Sequence, residues 1–325
     1  MIRSIGLVLL LMGGLVAPAE AANPPHAETA FQGYFADPFD PGDFGWLAWR
    51  SSDDPSDREK WRQLNAWAER VKELRTAEEK SKLAAIGETS DKLPLGCYGE
   101  VVCNWVTDST ATEDAVGGWS KFSATLDSIR PYYSGYEIGF STARGFIVPG
   151  PGESVSDQLN EILFLDQLAR PFDRLYAMNL SPDQKRVLGL LITHQLMQRV
   201  DNDNLELFEK LFAKIGWPAA GLGHKPSLGS FLIVQHSDAH PAFQIQVMRA
   251  LAKQDKDSGG RYLPLLADRV QLKLHGTQTY GSQFHCVEGH MEPYPVTDPA
   301  GLDARRASVG LDPIDVYRKT FPAHC

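Results

Sequence analysis

The chain predicts an α+β protein that is mainly α: a C-terminal helical domain carrying one β-hairpin, preceded by a smaller mixed N-terminal domain. Three observations carry that expectation. From residue 157 onward, apolar residues recur at three- and four-residue spacing in several successive segments. Between 263 and 286 the spacing shortens to two, and from 93 to 148 short mixed runs broken by Gly and Ser replace any long period. The Pro- and Gly-rich linker at 149–156 then separates a mixed domain over 22–148 from a helical domain over 157–325.

The first residues set the compartment. Arg3 precedes an apolar run from Ile5 to Val16, and Ala19-Glu20-Ala21 has the small-x-small form of a signal-peptidase site. Residues 1–21 are therefore expected to be a signal peptide cleaved near Ala21, and the protein to be periplasmic or secreted. No later run approaches the roughly 20 apolar residues of a spanning helix, so no membrane span is expected after cleavage. Cleavage removes one base, Arg3, and one acid, Glu20, and leaves the formal charge at -9. An acidic chain argues against nucleic acid as the main partner. Four cysteines suit an oxidising compartment, and they can pair in three ways. Cys97 with Cys103 and Cys286 with Cys325 is preferred, closing a small loop and pinning the tail.

Residues 22–54 show neither period and read as an extended segment whose aromatics pack on the body. Asp54 and Pro55 open a helix, the acid as cap and the proline in the first turn. Trp61, Leu64, Trp67, Ala68, Val71 and Leu74 form its apolar stripe, more readily core than a ligand platform. Short strands and loops are expected from Leu93 to Val148. Helices follow: one through Leu159, Ile162, Leu163, Leu168, Phe172 and Leu175 with a break at Pro171, one opened by Ser181-Pro182-Asp183, and one through Leu205, Phe208 and Phe212 ended by Gly216. Ser227 is expected to cap the next, and Asp238 the one after it, which begins at Pro241 and runs through Leu251. A short final helix carries Asp303, Arg305 and Arg306.

The hairpin is expected at 269–284. Val270, Leu272 and Leu274 alternate with Gln271 and Lys273, His275-Gly276 supplies the turn, and Thr277 to Phe284 alternates again.

The order and spacing of LDQLAR (165–170), DNDNLELFEKLFAKIGWP (201–218), LIVQHSD (232–238), LADRVQLKLHGTQTYGSQ (266–283) and DARRASVGLDPIDVY (303–317) resemble a bacterial domain-of-unknown-function family, number 6624. The likeness covers 157–317 and implies a helix-rich domain with shared polar positions and no established reaction. Tyr280-Gly281-Ser282-Gln283 departs from that family's Tyr-Gly-Thr-Gln, and residues 22–150 fall outside the likeness.

Polar residues gather in the same segments. His236, Asp238, Asp268 and Tyr280 are the candidate acid/base groups, while Gln235, Arg269, Gln278, Gln283, Arg305 and Arg306 are the candidate ligand contacts. The competing reading is that these groups only brace the hairpin. His275, His285, Cys286 and His290 fit no zinc spacing, and Asp201 to Asn204 lack the glycine and distal acid of a calcium loop, so no metal set is assigned. No phosphate loop, dinucleotide fingerprint or G-x-S-x-G elbow occurs, and no cofactor is expected. The expected function is a polar pocket for a small polar or anionic ligand, with acid/base chemistry on it. The alternative is a non-catalytic interaction or structural module of the cell envelope.

Overall fold

The computed structural model describes residues 44–90, 92–147, 153–171, 178–256 and 259–321. The expected signal peptide and the first half of the expected linker, 149–152, lie outside the described residues. Helices dominate, with one two-stranded antiparallel hairpin near the C-terminus.

Helix α1 (Pro55–Ala85) begins as its sequence predicts: the Asp54 carboxylate accepts the Ser56 amide at 2.8 Å and Pro55 fills the first turn. Leu64, Trp67, Ala68 and Val71 are buried, whereas Leu74 at the end of the expected stripe is 40% exposed. The helix is roughly 46 Å long at 1.5 Å per residue. Its first half therefore serves one core and Leu83, near its end, serves another.

The strands expected between 93 and 148 are not formed by the described residues, which fold as α2 (Val101–Val116) and α3 (Trp119–Phe146). Valine and threonine at the start of α2 favour strand, yet the Glu100 carboxylate accepts the amides of Val102 and Cys103 as a cap, and Gly117 at φ 97° ends the helix. Along α3, Phe122, Leu126, Ile129 and Tyr133 recur at three and four residues and are buried. Packing of that face outweighs the poor helix preference of its Tyr, Ser and Gly.

The first core joins Trp67, Trp105 and Phe122 to Phe44 and Trp46 of the leading segment. It also takes Val187 to Ile192 from α5 (Pro182–Ile192), so it draws on both sides of the expected linker. Ser181 opens α5 with a full capping box to Gln184. The expected next helix is continuous with it: a π-helical turn, Thr193–Met197, leads into α6 (Gln198–Ile215). The second core packs α6 against α4 (Val155–Leu168), α7 (His224–His236), α8 (Pro241–Leu251) and α9 (Leu263–His275) around Phe208, Phe231 and Leu266. The expected continuation of α4 through Phe172 and Leu175 lies outside the described residues.

Two expected caps are corrected. Gly223, not Ser227, stands at the N-terminus of α7, and the Ser227 hydroxyl donates back to the Gly223 carbonyl at 2.8 Å. His240, not Asp238, precedes α8, and the Ala242 amide there donates to Glu79 of α1 at 2.9 Å. A residue 163 positions away thus does the capping.

The hairpin also moves. Residues 263–275 are helix α9 rather than a strand, because Leu266, Val270 and Leu274 repeat every four residues and are the buried set. Gly276, at φ 72°, is the left-handed stop of that helix. The hairpin is β1 (Phe284–Val287) with β2 (His290–Pro293), paired Phe284 to Pro293 and Val287 to His290. Glu288 and Gly289 turn it with φ of 50° and 84°, the positive values a two-residue turn requires. The short helix α10 (Leu302–Ser308) carries Asp303, Arg305 and Arg306 as expected, and α11 (Ile314–Arg318) follows it. No helix among the described residues is long and apolar enough to cross a membrane.

Candidate functional site

The residues singled out in the sequence divide into three groups. The first is a brace. Asp268 on α9 is fully buried, and its carboxylate accepts the amides of Thr279, Tyr280 and Ser282, each at 2.8 Å. Gln278, also fully buried, donates to the carbonyls of Gln283 and Tyr294 at 2.9 Å and accepts the Gln283 amide at 2.8 Å. Arg306 donates to the carbonyls of Tyr280 and Asp312 and lies over the Tyr317 ring, 4.9 Å from its centre. Arg305 reaches the Thr279 carbonyl at 3.1 Å and the Asp298 carboxylate at 2.8 Å. These side chains hold the path of residues 277–283, and apart from the Arg305–Asp298 ion pair their hydrogen bonds go to backbone. Tyr280 enters through its backbone; its hydroxyl makes no hydrogen bond among the described residues.

The second group links Asp238, Arg269 and Gln283. Arg269 grips the Asp238 carboxylate with two donors, one at 2.6 Å, and offers a third to Gln283 Oε1 at 3.2 Å. Burial works to raise the Asp238 carboxyl, but the hydrogen bond and charge of Arg269, with the charge of Lys273, hold it below its ordinary value. Lys273 donates to the Asp238 carbonyl and lies over the Tyr98 ring. Burial pulls the Lys273 ammonium down. Tyr98 belongs to the loop closed by the Cys97–Cys103 disulfide, which forms as expected. Cys286 is disulfide-bonded too, so it offers no thiolate to a metal, while its expected partner Cys325 lies outside the described residues.

The third group is built around His236, the last residue of α7. Its Nδ1 is 2.8 Å from Asp166 Oδ1, near the end of α4. Asp166 is 1% exposed, whereas the His236 side chain keeps 18% of its surface. Arg170, one turn beyond Asp166, bridges Asp166 Oδ1 and Asp201 Oδ1, each at 2.6 Å. Asp201 stands in the first turn of α6. Gln167 satisfies the second oxygen of Asp166 at 2.8 Å. Burial tends to raise the Asp166 carboxyl, but the His236 hydrogen bond and the neighbouring positive charges bring it below its ordinary value. Asp201 is shifted the other way, upward, by burial.

An ionised Asp166 can only accept, so the proton between the two residues belongs on His236 Nδ1. Nε2 has no hydrogen-bond partner among the described residues, and in the neutral ring it carries the lone pair. Donor atoms of Asp166, Asp201 and His236 lie within 4.8 Å of one another, a set that could ligate a cation. The Arg170 guanidinium already supplies the positive charge between the two carboxylates.

Of the expected site residues, Asp238, Arg269 and Gln283 meet; Asp268, Gln278, Arg305, Arg306 and the Tyr280 backbone meet elsewhere on the same loop; His236 pairs with a residue outside the expected set. Gln235 contributes its carbonyl to the Gln244 amide at 3.5 Å. Asp166, Arg170 and Asp201 went unassigned, although the four-residue step from Asp166 to Arg170 marks an ion pair on one helix face.

Residues 190–322 match the profile of a family of unknown function (DUF6624). Neither curated proteins nor solved structures give a match to the chain. The matched span contains Asp201, His236 and the whole brace, while Asp166 and Arg170 precede it.

Proposed function

We propose that the protein is an exported, periplasmic or secreted, proton-transfer catalyst for a small polar molecule, with His236 as the acid/base. The supporting observation is the geometry of one ring: a buried carboxylate holds Nδ1, and Nε2 has no hydrogen-bond partner among the described residues on a side chain that keeps 18% of its surface. In this reading Nε2 takes a proton from water as the water oxygen bonds to the substrate's carbonyl or acetal carbon, Asp166 stabilises the imidazolium formed, and that proton passes to the alcohol or amine as its bond to carbon breaks. Asp166 is a positioning residue and Arg170 fixes it. With a neutral imidazole the cluster carries two carboxylates against one guanidinium, which favours an uncharged polar ligand over an anion at this position.

The non-catalytic envelope module is the second reading, and the brace supports it, since the hydrogen-bonding groups of Asp268, Gln278 and Arg306 are turned inward. It gives no account of Nε2. The test is a hydrolysis screen of the full chain over neutral esters, amides and glycosides, repeated with His236→Gln. A substrate whose turnover falls about a hundredfold or more in the variant upholds the reading, in line with the usual contribution of a general base. Activity equal in both proteins, or none across the panel, favours the envelope module.

A further inference from the structure

A cleft of about 570 Å³ opens between α1, α6 and the start of α8, a size suited to a small molecule. None of its lining belongs to the His236 cluster or to the brace. Phe212 and Phe243 form one wall, their rings 5.6 Å apart at 83°. Glu79, Glu209, Lys82 and His240 supply the polar part.

The charges are unbalanced. Glu79 is 1% exposed and already committed: one oxygen accepts the Ala242 amide at 2.9 Å and the other lies 3.3 Å from Lys82. Lys82 is thereby used. Glu209 is exposed by surface area and makes no hydrogen bond or ion pair among the described residues; partial desolvation pushes its carboxyl up, the charge of Lys82 opposes that rise and the charge of Glu206 adds to it. Burial also pulls His240 down, so its imidazole adds no positive charge at neutral pH. Two acids facing one lysine, next to two phenyl rings, make a wall that repels anions. The same wall can solvate an ammonium by charge and by ring faces.

We propose that this cleft binds a small organic monocation, an ammonium group on an apolar body, with Glu209 as its counter-ion and Phe212 and Phe243 against its apolar part. This site is independent of the chemistry at His236.

Calorimetric titration of the full chain with phenethylammonium chloride, and separately with sodium phenylacetate, tests it. The two probes share a ring and differ in the sign of the charge. Phenethylammonium should bind at one site per chain, with phenylacetate at least about tenfold weaker, a gap of 1.4 kcal/mol. Glu209→Gln should weaken the amine by about tenfold and leave the thermal unfolding midpoint in place, because Glu209 is exposed and makes no hydrogen bond or ion pair to lose. Phe243→Ala gives an independent check and should weaken both the amine and any residual binding of the carboxylate. Absence of amine binding, equal affinity for the two probes, or an unchanged amine affinity in Glu209→Gln would overturn the proposal.

Discussion

Two aspartates, Asp268 and Asp166, are buried to the same degree, at 0% and 1% exposure, and do opposite things. Asp268 turns both oxygens to backbone amides of a single loop and has nothing left to offer a ligand. Asp166 meets an imidazole whose far nitrogen is unsatisfied, and a guanidinium shared with a second acid. Burial therefore does not separate the two carboxylates; what does is whether the partner has a second, open end.

Replacement at each end of the comparison should separate the two roles. Asp268→Asn should have the largest effect. It keeps the shape but turns an amide toward backbone donors, orphaning at least one buried N–H and weakening the rest, for a loss of about 3 kcal/mol or more. Urea unfolding at pH 7 measures it, and a loss below about 1 kcal/mol would mean the loop does not depend on this carboxylate. Asp166→Asn should cost less, about 1 to 3 kcal/mol, because Arg170 retains Asp201 as a partner. Urea unfolding measures this as well, and a loss as large as that of Asp268→Asn would mean that Arg170 and Asp201 do not hold the cluster without Asp166. His236→Gln should cost under about 1 kcal/mol, since the imidazole is partly exposed and leaves Asp166 with Arg170. A large loss there would make His236 another brace.

The same contrast explains what could be read from the sequence. Helix starts were legible at Asp54 and Ser181, because a cap is a local event among three or four neighbouring residues. The cap on α8 was not, because Glu79 arrives from another helix. The strand reading of 270–274 failed where two periods compete: Val270, Leu272 and Leu274 alternate, while Leu266, Val270 and Leu274 also repeat every four, and only packing selects between them. Of the site, His236 and the pairing partners Asp238 and Arg269 were all singled out, but as one cluster. The partner of His236 was missed, since Asp166 lies 70 residues earlier and nothing local ties the two. Folding decides which polar side chains face each other. The disulfide loop shows the same dependence: Gly99, at φ 85°, lies so close to His240 that a Cβ there would stand 3.2 Å from Nε2.

The His240 imidazole carries the smallest predicted effect. Burial is the largest influence on His240 and depresses it below 6.5; the charges of Lys82 and Lys273 act the same way and Glu79 opposes them. A depressed histidine favours the folded state when neutral. Its contribution is complete above 6.5, where neither state is protonated, and is lost as pH falls from there through the folded-state value, because the unfolded chain takes up the proton first. Asp166, also depressed, loses its contribution in a lower window, below its ordinary 3.8. His240→Gln should therefore flatten the stability profile between 6.5 and the mildly acidic range while leaving the steep acid limb intact. Denaturant midpoints collected across both windows separate the two. If the variant keeps the shallow limb, some group other than His240 takes up that proton, and the steep limb alone would report the carboxylates.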